Sequence, residues 1–460
     1  MKDNTQVFES YSVPRAVRTL ALPSMMGMLV NIVYNLADTF FVGQTGNANM
    51  VAAVSVTMPL FLLFIACGNL FGVGGCAFVS RSLGEGKTER VKTISSFCVY
   101  SAIGVGLVMT VLFLVFRKPV LYAVGASDAT FAYAADYLKY VAIGSPFIVS
   151  SVMLGNLVRG EGAARVSMIG SIIGQVVNIV LDPIFILNKG DKLFGLAMPF
   201  GTGQGVAGAA IATVIGNVVS VIFFLIYFLR GKSILSISPG RYRVRGGIAR
   251  GVITVGLPAA INSLLMSISN MLINVFLQAY GDNAVAAMGI TMKANMLVVM
   301  LQLGLAQGVQ PLVGYCYGAN KLDRMRHSIC NIVLGTVITV IYFIFTRQVV
   351  SVFIDDPAVI DYGVKMLRAL MISGPVIGCM FVLNFSFQGM GKGTQSMILS
   401  LSRQGLIYFP LLIIMNKTVG LDGIIWSQAV ADLVCTAMSV VMFLLVVRKL
   451  RRQHSQKTKA

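Results

Sequence analysis

Charge is what this chain has least of. Only 12% of its 460 residues are Asp, Glu, Lys or Arg, about half the roughly 25% usual in a soluble chain. Hydrophobic residues make up 56% and mean hydropathy is +0.82. That combination excludes an ordinary soluble domain and implies a polytopic membrane protein. Histidine is nearly missing, with only His327 and His454. The seven cysteines mostly lie in apolar runs and form no CxxC pair, so neither a metal knuckle nor a disulfide framework is indicated. The first 14 residues are polar, and no short apolar stretch leads to a small-residue cleavage site, so no cleaved signal peptide is expected. Acids are scarce too, 17 against 36 basic residues, for a net charge of +19. In a soluble chain that excess would suggest nucleic acid. Here the basic residues gather in the loops between apolar runs, and no nucleic-acid partner is expected.

What is present in abundance is long apolar stretches. Twelve are long enough to span a bilayer as helices, at about 16–43, 51–80, 91–116, 131–158, 166–187, 206–229, 249–280, 284–315, 327–347, 361–388, 395–416 and 421–447. With the N-terminus inside, 25 of the 36 Lys and Arg fall in inner segments and 6 in outer loops. This asymmetry places both termini in the cytoplasm. The expected class is an all-α membrane protein in the cell's inner (plasma) membrane.

The twelve spans repeat as two sets of six. ALP at 21–23 answers GLP at 256–258, and VAAVSVTM at 51–58 answers VAAMGITM at 285–292. GEGAARVSMI at 160–169 answers GMGKGTQSMI at 389–398, and GVAGAAIAT from Gly205 answers GLDGIIWSQ from Gly420. Six crossings return the chain to its starting side, so the two bundles share an orientation and relate by an axis along the membrane normal. The expected organisation is a lobe over 1–230, a basic cytoplasmic linker over 231–250 and a second lobe over 251–460 with a basic tail.

Against this background two carboxylates stand out. Asp38 is the only charge between Arg18 and Gly46, and Asp182 is the only acid between Glu161 and Asp191. A charge inside a membrane span costs about 3 kcal/mol on insertion scales, so it normally faces a partner or a wet cavity. Each lies at similar depth, 20 residues from Arg18 and 17 from Arg165, or about 30 and 26 Å of helix. Asn178 shares a helical face with Asp182, as Gln175 does with Asn178 and Asn35 with Asp38. Pro183 should bend the helix beside Asp182 and free a carbonyl. The plainer alternatives are that Asp38 snorkels to the outer interface and that Asp-Pro ends its helix there. The repeat argues against both, because Asp38 maps to Ile273 and Asp182 to Leu411. The second half kept the framework without the acids. A carboxylate pair of this kind can take up a proton or bind Na⁺, with Asn178 as a neutral oxygen ligand.

Other polar residues carry less. Lys293 lies near an outer end, where its stem can snorkel. Arg403 is alone in its span and lines an inner vestibule or pairs with Asp432. GMGKGT at 389–394 resembles part of a phosphate loop, but that motif would need glycine at Ser386 and Ser or Thr at Gly393. No nucleotide site means no built-in ATP-driven transport.

The residues reached so far resemble the multidrug and toxic compound extrusion (MATE) family along essentially the whole chain. The motifs are ALP (21–23), the Asp38 stretch ending FVG, GNLFGVG (68–74), RxxG at Arg159 to Gly162, NIVLDP (178–183) and GAAIAT (208–213). The resemblance is closest to the branch of damage-inducible F-type and staphylococcal-type bacterial exporters. It implies two six-helix lobes forming a V around a central cavity, and export driven by entry of H⁺ or Na⁺, with no other cofactor. It also implies a cation site in the first lobe at Asp38, Asn178, Asp182 and Thr213 and a bend in the first helix at Pro23, while helical spacing adds Asn35 and Gln175 as accessory candidates. The position matching an acid of some relatives' seventh helix is Met266, so no second-lobe cation site is expected.

The function expected is a secondary antiporter, not an enzyme, that exports amphipathic and often cationic organic compounds. Its partners would be these small molecules and the bilayer, with the chain acting as a monomer. A lipid-linked oligosaccharide flippase of the wider superfamily is the nearest alternative, and would want cationic groups in its cavity for the diphosphate. A membrane-embedded enzyme lacks a nucleophile–base or metal constellation. A passive channel has no need of the acid pair.

Overall fold

The computed structural model describes residues 3–193, 196–198, 200–244, 246–280, 282–330 and 357–459. A short helix α1 (Asp3–Glu9) precedes α2 (Val13–Gly43), α3 (Ala48–Gly84), α4 (Thr88–Val115), the short α5 (Arg117–Ala123), α6 (Asp128–Gly160), α7 (Ala164–Ile186) and α8 (Val206–Leu229). The second half holds α9 (Ile248–Gln278), α10 (Asp282–Gly318), α11 (Leu322–Cys330), α12 (Pro357–Gly389), α13 (Gly393–Leu401), α14 (Tyr408–Val419) and α15 (Leu421–Lys459). A π-helical turn, Ser402–Leu406, joins α13 to α14. The remaining regular structure is a two-residue hairpin, Lys192–Leu193 with Leu196–Ala197, between α7 and α8.

Among the described residues, eleven helical segments are long and apolar enough to cross a membrane, counting α13 to α14 as one. They coincide with eleven of the twelve expected spans, and the other, 327–347, lies mostly outside the described residues. Local signals explain the boundaries. Asn47 caps α3 by accepting from the amide of Asn49 at 3.0 Å, and Ser127 with Thr130 forms a capping box on α6. Pro14 stands in the first turn of α2, where its missing N–H costs nothing. Pro23, Pro59, Pro146 and Pro183 all lie inside their helices. At Pro183 the helix does not stop, and α7 runs on to Ile186.

The two halves meet at the end that carries the basic loops, and the contact follows the repeat. A Cβ on Gly84 would strike the carbonyl of Tyr315, and one on Gly318 would strike the carbonyl of Arg81. Tyr315 and Arg81 are themselves repeat counterparts, so each half presents the same surface to the other. In the same way Gly256 of α9 lies on the backbone of Leu70, while Gly308 of α10 lies on Leu20 and Ala21 of α2. Only glycine lets helix backbones come this close, and close approach is what holds membrane helices together where lipid removes the hydrophobic drive. The apolar core follows the contact: Phe71, Phe78 and Val79 pack in one cluster with Leu312, Val313, Tyr315 and Phe387.

The segment between the halves is bolted to the first of them. Glu161, fully buried just beyond α6, accepts from the hydroxyls of Tyr227 and Ser233, both at 2.7 Å, and from the amide of Ile234 at 3.0 Å. Ser95 and Ser96 of α4 donate to the carbonyl of Ser236 at 2.9 and 3.0 Å, and Tyr100 donates to that of Ile237 at 2.8 Å. Residues 233–237 are therefore a docked strap, and beyond it Arg241 of the basic linker still pairs with Glu89 in the first turn of α4, 2.6 Å away.

Candidate functional site

The site is built on three helices of the first half, α2, α7 and α8. Both α2 and α8 pack along α7, and the small residues Gly174 and Gly216 bring α7 and α8 into backbone contact. That contact carries Thr213 of α8 to Asn178 of α7. With the Asn178 amide turned to satisfy its neighbours, its nitrogen donates to Asp182 Oδ2 at 3.0 Å. Its oxygen then accepts from Thr213 N at 2.8 Å and from Thr213 Oγ1 at 3.2 Å. Asn178, Asp182 and Thr213 are all buried, with Asp182 at 0% exposure.

One atom of this cluster is left over. Asp182 Oδ1 is buried and has no hydrogen-bond partner. A carboxylate oxygen without a donor in so dry a place is costly unless something positive or protic reaches it. Asp38, half-buried, reaches the same site from α2, which packs along α7. Tyr34, one turn before Asp38, shares a hydrogen bond with Thr213. Two like charges in one apolar setting cannot both stay bare, so the arrangement favours binding of a proton or a small cation.

Of the expected residues, Asp38, Asn178, Asp182 and Thr213 are thus brought together. Gln175 lines the adjoining cavity and has a buried Oε1 without a partner. Asn35 is turned away, because its amide donates to the carbonyl and side-chain oxygens of Asn31, at 2.7 and 3.1 Å, on its own helix. Pro23 lies about four turns from Asp38, near where α2 meets α10. Arg403 does not line a vestibule. It is buried at 7% exposure, its Nε donates to Asp432 Oδ1 at 2.7 Å, and its guanidinium lies over Phe381. Among the described residues no group of His, Cys, Asp and Glu is arranged to hold a metal ion.

Sequence reasoning missed the cavity beneath the acids. It encloses about 150 Å³ and is lined by Asn31, Tyr34, Ser151, Gln175, Asn178 and Asn217 with others. The signal was available: Asn31, Tyr34 and Asp38 fall at i, i+3 and i+7 on one face, and Thr213 and Asn217 at i and i+4. At the repeat positions in the second half the surroundings are apolar. Ile273, the counterpart of Asp38, is in one cluster with Leu411 and Ile407, the counterparts of Asp182 and Asn178.

Comparison with known proteins identifies the family. The chain is 32% identical over 452 residues to a multidrug export protein MepA of Staphylococcus saprophyticus, covering 97% of each chain. The MepA of Staphylococcus aureus matches at the same identity and coverage. Among solved structures, an outward-facing multidrug resistance MATE family transporter of the MOP superfamily superposes with a TM-score of 0.89 at 25% identity. That match covers 98% of this chain and 99% of the other. A MATE structure in the straight conformation gives 0.90 at 24% identity, over 98% and 100%. The MatE family profile matches residues 23–184 and 258–414, one segment in each half, and the chain belongs to that family of multi-pass membrane transporters.

Proposed function

We propose that the protein is a multidrug exporter of the plasma membrane, an antiporter that exchanges amphipathic, mainly cationic organic compounds for H⁺ or Na⁺. It works as two lobes, 1–230 and 251–460, with both termini in the cytoplasm. The observation that carries the reading is the unpartnered, buried Asp182 Oδ1 beside a second carboxylate. In this reading Asp38 and Asp182 hold the ion, while Asn178 and Thr213 fix the Asp182 carboxylate. The printed names of the staphylococcal relatives support drug export as the outcome.

The mechanism is competition. The halves are packed together at the basic end, so the carboxylates are reached from the opposite side. An ion arriving there cancels one of the pair's two negative charges and weakens its attraction for a cationic cargo, which leaves. The ion-loaded pair then tolerates closure of the dry outer end better, because one charge fewer has to be desolvated. Either ion suits the donors: Asp182 Oδ1 can take a proton, or serve Na⁺ as one oxygen ligand with Asp38 as another. A flippase for lipid-linked diphosphates is disfavoured, since Arg403, the cationic candidate the sequence offers, is buried against a carboxylate.

The test is transport of a fluorescent organic cation into or out of proteoliposomes, with a pH gradient and a Na⁺ gradient imposed separately. Uphill movement under one of them supports antiport and names the ion. Equilibration without accumulation under both would refute it.

A further inference from the structure

The second half carries a buried ion pair where the first carries its cavity. By the repeat offsets, Arg403 is the counterpart of Gly174 and Asp432 the counterpart of Asn217, and both Gly174 and Asn217 line the cavity of the first half. Gly174 has no room for a side chain, because a Cβ there would strike Ser220 and the carbonyl of Gly216. Arg403 fits at its position because the backbone differs: it stands in the π-helical turn Ser402–Leu406, and such turns shift the register of a helix face. The guanidinium thereby points at Asp432, which is 0% exposed and held also by Gln428 at 3.1 Å. Asp432 Oδ2 and Gln404 Oε1 have no partner, and Gln404 is the counterpart of Gln175, whose Oε1 is equally unpartnered. Two polar lining positions of the first half, Gln175 and Asn217, are thus polar again in the second, as Gln404 and Asp432, with a tethered positive group beside them.

We propose that Arg403 is a built-in cation. It fills the second half's counterpart of the first-half cavity, neutralises Asp432, and so confines ion coupling to the first half. The guanidinium cannot dissociate from the chain, so Asp432 has no need of a mobile ion in either direction of the cycle. Coupling confined to one half rests on the reading given under Proposed function. The presence of a latent cation site at Asp432 does not.

The experiment counts cations bound by purified protein in detergent, using ²²Na⁺ binding and, in parallel, proton uptake followed with a pH indicator. Arg403→Gln keeps a donor for Asp432 and removes the charge. It should bind about one more monovalent cation per chain than the wild type. The charge-free double variant Arg403→Met/Asp432→Leu should return to the wild-type count. Asp182→Asn in the wild-type background should abolish the first-half ion, whereas Asp182→Asn with Arg403→Gln should still show the one at Asp432. A folded, monodisperse Arg403→Gln protein with the wild-type count would overturn the proposal. So would a loss of the wild-type ion in the charge-free double variant, since that would place Asp432 in the native coupling site. The double variant does not leave an unpaired charge, so it stays informative where the single one fails to fold.

Discussion

Replacing Asp182 by asparagine is the substitution in which fold and function should part most cleanly. The carboxylate makes one hydrogen bond, accepting from Asn178 at 3.0 Å on Oδ2, and Oδ1 makes none. Asparagine can still accept from Asn178, so the hydrogen-bond change is at most the value of one bond, about 1 kcal/mol. Removing an uncompensated buried charge offsets part of that. Expression and thermal stability should therefore stay close to wild type. Coupling should not. In a one-for-one exchange each tenfold ion gradient, about 1.4 kcal/mol, can sustain a tenfold cargo gradient. Without a titratable, ion-binding oxygen at the site that linkage is gone, and the sustained gradient should fall to none. The assay is cargo accumulation in proteoliposomes at a series of imposed gradients. A flat response in Asp182→Asn against a rising one in wild type is the expected result. Asp38→Asn should match it, and the double variant should be little worse than either, because residues acting as one unit are not additive. Gradient-driven accumulation in Asp182→Asn equal to that of wild type would refute the reasoning.

Three further outcomes follow from the structure. Ile273→Asp combined with Asp38→Asn should not restore transport, since Ile273 is 3% exposed and packs in a cluster with Ile407 and Leu411, where the first half has Asn178 and Asp182. Efflux assays of the pair of variants decide it, and recovery would count against the one-sided site. Glu161 lies outside the spans, and burial raises its carboxyl above the ordinary 4.5 despite the donors around it. Its folded form therefore holds a proton more firmly than its unfolded form, so this contribution to stability is full below 4.5 and declines as pH rises from there through the folded value. Melting followed across pH should show that decline in wild type and lose it in Glu161→Gln. Finally, single cysteines at Gly231 and Lys457 should be shielded from impermeant thiol reagents in intact cells while one at Lys189 reacts, and the reverse pattern would invert the topology.

Much of this protein can be read along the chain. Span number follows from apolar length, because an uncovered backbone in lipid leaves helix as the economical form. The two-fold repeat is written in paired motifs, and its consequence, the reciprocal contact of Gly84 with Tyr315 and Gly318 with Arg81, is what the structure shows. The acids Asp38 and Asp182 are legible as well, since a charge is rare enough in a span to announce itself. Spacing on a single helix also placed Asn178 beside Asp182.

Tertiary structure decided what depends on how helices approach one another. Spacing alone could not say that Asn35 bonds back to Asn31 while Tyr34 faces Thr213, because the two neighbours point about 100° apart on α2. Nor could it choose between the two readings of Arg403, an inner vestibule or a pair with Asp432, 29 residues on. Arg403 stands in the π-helical turn, a backbone choice with no mark in the residue pattern. The cavity of the first half is of the same kind. It lies where α2, α6, α7 and α8 come together, with Gly174 and Gly216, the residues at the α7–α8 backbone contact, in its lining. A linear pattern fixes which face of each helix is polar. The distance between polar faces is set by packing, and the chemistry of the site depends on that distance.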